Sequence, residues 1–309
     1  MNAIECRQLS SPEIIGKGCY HQPTNMASLG RKFNVIIVSA ILAFVILLVG
    51  QSAWGLLLAV NFKTNPRAIP WSVAVMAVVL YLMWEYLGGR WWPPRTSKTR
   101  RNYLRANPVS PHILGIAFVS GVLAIVALAG YWIVFFQLVK TPPNVLADAS
   151  KYPLLTVVLG TAMSSLVSPI VEEIAFRGYC QKQLEREFSG RIAVLISSIL
   201  FMLAHANHGL YWPKLTVYFL AGLVFGTLAF LTDSILASIP VHIVGDLIFF
   251  TLIWPNDATR VLVAVGGADA WFWLHVAQAV IFTALALMVF LRLASRRSSA
   301  LQHATIASS

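Results

Sequence analysis

Residues 33–62 read FNVIIVSAILAFVILLVGQSAWGLLLAVNF and hold no charged side chain. Between Val35 and Val49 the run is apolar on every helical face, so it has no side to give to water. A helix needs about 20 apolar residues to cross roughly 30 Å of bilayer hydrocarbon, and this run exceeds that length. A membrane barrel would instead show segments of about 10 residues with alternating polarity. Outward from this run, charge-free stretches recur at 68–84, 106–139, 152–171, 192–213, 215–232, 234–256 (broken only by Asp246) and 270–291. The expected fold is therefore an all-α, polytopic membrane protein with about eight transmembrane helices.

Composition agrees. Of the 309 residues 58% are hydrophobic and 11% charged, against about 25% charged in an ordinary soluble domain. Disorder, a coiled coil and a nucleic-acid-binding domain are excluded, despite a net charge of +11. With the N-terminus inside, seventeen of the twenty-three lysines and arginines fall on the cytoplasmic side and six outside. That bias predicts two cytoplasmic termini, and it assigns the basic excess to orientation and to contact with anionic lipid at the cytoplasmic face. Trp84, Tyr86, Trp91 and Trp92 fit an interfacial aromatic belt. Cys6, Cys19 and Cys180 form no paired motif and are expected to stay reduced.

Ionisable groups inside a span cost about 2.5–3.5 kcal/mol each, so they are functional candidates by default. Three clusters qualify. Glu172 and Glu173 precede Arg177 in the string 168–178, SPIVEEIAFRG; Glu173 and Arg177 share a helix face and can neutralise each other. His205 follows Phe201 by one turn in the run 192–213, and His242 precedes Asp246 by one turn in the run 234–256. At 1.5 Å per residue, His205 and Asp246 lie about 20 Å in from the basic side. If the fourth helix runs on to Lys182, Glu172 lies about 15 Å in and can meet them. Ser168-Pro169 would restart or kink that helix. Singly, each cluster has a plain structural reading; converging, they build a site. Gly222 and Gly226 are expected to let two helices pack closely, and His208 and Asp233 to lie at the interface.

A carboxylate and a histidine in a dry pocket can deprotonate water, and a second histidine can donate to the oxygen that becomes negative when that water attacks an amide. No rival serine or cysteine nucleophile is in view. These motifs, in this order, resemble those of the CAAX-protease and bacteriocin-processing family (Abi, Rce1-like), which are intramembrane glutamic endopeptidases. The resemblance covers about residues 153–254. It implies Glu172 as the general base, His205 as its assistant, and His242 with Asp246 on the oxyanion side. Glu173, Arg177 and Phe201 become structural support. The family's third motif commonly ends in asparagine; an aspartate donates a hydrogen bond only when protonated, so Asp246 is expected to orient His242 instead.

The organisation expected is a polar tail (1–32), three helices (33–152) with a basic loop (88–111), a catalytic four-helix core (153–254), a loop and last helix (255–291) and a tail (292–309). No cofactor is expected. Zinc held by Glu172, His205, His242 and Asp246 is the alternative, without any familiar zinc-protease spacing. A non-catalytic scaffold and a proton-coupled transporter are the others. The expected partner is a membrane-embedded or lipid-modified protein or peptide, and the expected location a bacterial inner membrane.

Overall fold

A computed structural model describes residues 25–64, 70–144 and 148–308, and side chains within 29–297. Cys6, Cys19 and residues 1–24 of the expected polar tail lie outside the described residues, while residues 25–32 belong to the helix that begins at Asn25. Helices dominate and no strand forms among the described residues. In chain order we number α1 Asn25–Thr64, α2 Trp71–Leu87, α3 Ser97–Leu104, α4 Pro111–Leu138, α5 Leu154–Leu184, α6 Gly190–Ala204, α7 Trp212–Thr232, α8 Ile239–Ile248 and α9 Ala270–Ser308. Six stretches are long and apolar enough to cross a bilayer: α1, α4, α5, α7, α9, and α8 with its continuation to Thr259. The protein is an all-α integral membrane protein. Its outer surface carries bare apolar side chains, such as Leu56 at 66% and Leu291 at 70% exposure, as lipid contact demands.

Two apolar clusters make the interior. In one, Ala43, Ile46 and Trp54 of α1 meet Met76 of α2, Val167 and Val171 of α5, and Phe201 of α6. In the other, Trp132 of α4 packs with Val217, Phe225 and Leu228 of α7, Val241 of α8 and Leu293 of α9. Ala221 touches both. The seam between the clusters holds the polar residues singled out above.

Three local departures from regular helix shape that seam. First, of the restart or kink expected at Ser168-Pro169, the restart does not occur, since α5 passes through Pro169 without a break, and its backbone widens beyond it into a π-helical stretch, Glu173–Cys180, all of it buried. Side chains of neighbouring segments bond carbonyls of the widened stretch, Ser197 donating to Phe176 at 3.0 Å and Arg105 to Arg177 at 3.5 Å, as irregular backbone at membrane depth requires. Second, α6 is short. The run 192–213 led to the expectation of a full span, but the helix stops at Ala204 and a tight turn, Ala206–His208, follows, with Gly209 at φ +100°. Third, α8 continues as a second π-helical stretch, Phe249–Ile253.

The basic loop is folded rather than a plain linker. Arg100, buried, donates to the carbonyls of Tyr86 and Trp91 at 2.5 Å each. Arg105 forms a two-pronged pair with Glu185 at 2.9 and 3.1 Å and a third contact with Asp233 at 3.0 Å. Lys182 meets the same Asp233 at 2.6 Å. Burial alone would lift the Asp233 carboxyl, but the hydrogen bond from Lys182 and the charge of Arg105 outweigh it and hold the group below its ordinary value. At the opposite end, buried Asp257 accepts from Trp132 at 3.0 Å and pairs with Arg260 at 2.9 Å.

Candidate active site

Four helices bring the three clusters together. α5 passes its acids through the seam at the junction where its regular winding gives way to the wider one, so the adjacent Glu172 and Glu173 serve different partners. Glu173 is fully engaged: its Oε1 meets Arg177 Nη1 at 3.1 Å and His242 Nδ1 at 2.9 Å, and its Oε2 accepts from the Ser238 hydroxyl at 2.5 Å. The Arg177 guanidinium is sandwiched, 4.2 Å from the ring centre of Phe201 and 5.2 Å from that of Phe225, where a cation finds the favourable ring faces. It also donates to the Gly222 carbonyl at 3.3 Å.

Glycine at 222 is required for that closeness. A Cβ there would lie 2.9 Å from the Ser198 Cα, which is backbone and cannot move aside. Gly226 likewise exposes its carbonyl to Gln181 at 3.0 Å. The pair therefore lets α6 and α7 pack, as expected.

Glu172 is held on one side and free on the other. Its Oε1 accepts from Ser168 at 2.5 Å and from Gln51 of α1 at 3.3 Å. Its Oε2 is buried without a hydrogen-bond partner among the described residues, 3.8 Å from His205 Nε2 and 3.7 Å from His242 Nε2. Both imidazoles turn that nitrogen inward for the same reason. His205 Nδ1 lies 2.8 Å from the Phe201 carbonyl, which can only accept, so Nδ1 carries the proton there. His242 Nδ1 donates to Glu173 in the same way. Tyr218 stacks on His205 at 4.3 Å and Phe225 on His242 at 4.1 Å, which fixes both ring planes. Asp246 Oδ1 lies 3.7 Å from His242 Nε2, past hydrogen-bond distance, and its Oδ2 has no partner among the described residues. The group that orients His242 through Nδ1 is thus Glu173.

These groups face a cavity of about 470 Å³. Its walls are mostly apolar: Phe44, Leu47 and Leu48 from α1, Ile125 and Leu128 from α4, and Phe249, Phe250 and Trp254 beyond α8. Among the described residues no group of three or more histidine, cysteine or acidic side chains is arranged to hold a metal ion.

The structure therefore brings together all seven residues singled out from the sequence: Glu172, Glu173, Arg177, Phe201, His205, His242 and Asp246. Residues 153–248 match the family described as type II CAAX prenyl endopeptidase Rce1-like. The chain carries an Rce1-like segment. No curated protein and no solved structure matches the chain. The Rce1-like segment holds every one of those seven residues and supports a hydrolase acting on peptide bonds of a membrane-associated protein. It does not hold all of the site, because Gln51 and the α1 wall come from outside it.

Other groups at the cavity were missed or misplaced by sequence reasoning. His208, expected at the interface, lines the cavity and meets the Tyr218 hydroxyl at 2.7 Å. Gln51, Ser164 and Ser168 line it as well. The sequence signal for the two serines is spacing, since 164, 168 and 172 fall one turn apart on one face of α5, and Gln51 carries no such signal.

Proposed function

We propose that the protein is an intramembrane endopeptidase in which Glu172 and His205 activate a water against a peptide carbonyl. The supporting observation is the single free oxygen of Glu172, buried at 3.7–3.8 Å from two histidine Nε2 atoms at the wall of an apolar cavity. A water can bond the carboxylate and His205 together while its lone pair faces a bound amide, within the reach that general-base catalysis requires.

The steps balance on this chain's own groups. Water oxygen bonds to the carbonyl carbon as its proton passes to Glu172. The carbonyl oxygen becomes negative and accepts from protonated His242 Nε2, whose Nδ1 proton is held by Glu173. Donors fixed in a site that excludes bulk water stabilise such an oxyanion strongly. Glu172 then returns its proton to the amide nitrogen as the carbon–nitrogen bond breaks, leaving a new carboxyl and a new amine. Asp246 flanks the oxyanion position. The substrate reading is a membrane-embedded or lipid-modified polypeptide, since the walls around the acids offer apolar contacts. The basic end, with Arg105 and Lys182, faces the cytoplasm and anionic lipid in this reading, and both termini lie on that side. The seven residues and the walls behind them fall within the catalytic core of 153–254 except where α1 and α4 close it.

The test reconstitutes the full-length protein in liposomes with two probes, a farnesylated peptide ending in a CAAX sequence and an unmodified single-span peptide, and reads products by mass spectrometry. Wild type cleaves at least one probe; Glu172→Gln, His205→Ala and His242→Ala lose 10²-fold or more, on the order expected for a general base or an oxyanion donor. Full activity in Glu172→Gln sinks the mechanism. Activity lost only on adding a chelator moves the reading to metal-assisted hydrolysis, and proton flux without cleavage moves it to transport.

A further inference from the structure

Glu172 can act as drawn only if its carboxylate stays aimed, and the residue that aims it lies more than a hundred positions earlier in the chain. Gln51 Nε2 donates to Ser168 Oγ at 3.0 Å and to Glu172 Oε1 at 3.3 Å, while Ser168 Oγ donates to the same Oε1 at 2.5 Å. The three groups close a triangle whose proton count is fixed. The serine proton goes to the carboxylate, so its oxygen accepts, and the carboxylate can only accept. Two acceptors therefore face the amide, and only its NH₂ end, with two protons, satisfies both. Both bonds land on Oε1, which leaves Oε2 as the oxygen turned to His205 and His242.

The placement of α1 makes this contact exact rather than incidental. At Gly50 a Cβ would lie 2.6 Å from Val171, so the α1 backbone touches α5 one residue before Glu172. One turn along, Trp54 Nε1 donates to Ser164 Oγ at 3.0 Å. Residues 51 and 54 of α1 thus pair with 168 and 164 of α5, an antiparallel ladder of polar rungs that ends on Glu172. Polar rungs of this kind set register between membrane helices, where apolar surfaces give little.

We propose that Gln51 is a positioning residue for Glu172, so that α1, outside the Rce1-like segment, completes the site. This rests on the proposed role of Glu172 as the base. Removing the amide leaves the apolar walls of the cavity in place and lets the carboxylate rotate, so it costs turnover more than affinity. Groups that orient a catalytic residue typically contribute about 10–100-fold.

The experiment compares Gln51→Leu, Ser168→Ala and Ser168→Thr with wild type in the same liposomes, on whichever of the two peptide probes wild type cleaves, and determines the Gln51→Leu structure by cryo-electron microscopy. Phe62→Leu, which disturbs the α1 stack on Tyr152 away from the site, is the control for helix docking. The expected result is a fall in kcat of about 10–100-fold for Gln51→Leu and Ser168→Ala with KM within about twofold, recovery in Ser168→Thr, and no change in Phe62→Leu. In the Gln51→Leu structure the Glu172 carboxylate has turned away from the histidines. An unmoved carboxylate, unchanged kcat, or an equal loss in Phe62→Leu overturns the proposal. Cleavage of neither probe by wild type counts against the endopeptidase reading, while the position of Glu172 in the variant structure still decides the positioning role.

Discussion

Glu173 accepts the Nδ1 proton of His242 at 2.9 Å, joining the π-helical turn of α5 to the first turn of α8. The same carboxylate neutralises Arg177, whose guanidinium lies between two aromatic rings. One acid thereby sets the tautomer of a histidine and the fate of a buried cation. Its neighbour is left free for chemistry.

Glu173→Gln is expected to fail in two ways. Arg177 loses its counter-charge in a dry site, where breaking a buried pair from one side costs about 3–5 kcal/mol. His242 loses the anionic acceptor that holds its Nδ1 proton at 2.9 Å. Thermal unfolding in detergent should fall by several degrees, and kcat should fall even at temperatures where the variant stays folded. A variant with normal unfolding and normal turnover would contradict the assignment of Glu173.

Gly222→Leu places carbon 2.9 Å from the Ser198 Cα and forces α6 off α7. Overpacking of this kind costs about 1–3 kcal/mol, and here it also shifts His205, carried at the end of α6. Reduced Tm together with lost cleavage is expected; Gly115→Leu, at a glycine with open space around it, should leave Tm unchanged.

Arg105→Ala takes from Glu185 its two-pronged partner at the basic end, while Asp233 keeps Lys182. The loss should be about 3 kcal/mol, read from denaturation in mixed micelles. In a double-mutant cycle, Glu185→Ala should cost much less in the Arg105→Ala background than in wild type, since the two share one interaction. Additive losses would mean that they do not.

Asp233 gives a pH dependence. Its carboxyl is held below its ordinary value in the folded protein, so it binds protons more weakly folded than unfolded. Its contribution to stability is fully present above the unfolded value of about 3.9 and is lost as pH falls through the folded value. Wild type should therefore lose thermal stability below about pH 4 more steeply than Asp233→Asn. Parallel curves for the two would remove Asp233 as the source.

Much of this arrangement was legible in the sequence because charge is scarce in it. Glu172, Glu173, Arg177, His205, His242 and Asp246 stood out against apolar runs, and helical rise placed them at a common level. The all-α class followed from the same runs, but six stretches among the described residues, rather than about eight, are long and apolar enough to cross a bilayer. What escaped was carried by residues that cost little in lipid. Gln51 sits in a charge-free stretch, and its role depends on which turn of α5 it meets, a tertiary fact. Ser168 read as a helix cap because proline follows it, yet its hydroxyl goes to Glu172. His208 read as interfacial, yet its ring lines the cavity and meets the Tyr218 hydroxyl at 2.7 Å. The end of α6 was hidden because no charge marks it; only Gly209, at positive φ, signals the turn.

The brevity of α6 bears on the supply of the second reactant. Fifteen residues rise about 22 Å, short of the roughly 30 Å of hydrocarbon that a full crossing needs. His205 stacks on Tyr218, almost two turns inside α7, so the chain leaves its helix well below the rim formed by its neighbours. Peptide groups in the turn after it cannot all bond to one another, and irregular backbone is tolerated at that depth only beside protein or a wetted cavity. A truncated helix thus leaves a notch in the wall of the bundle, and in the hydrolytic reading that notch is where the water spent on each bond cut would enter.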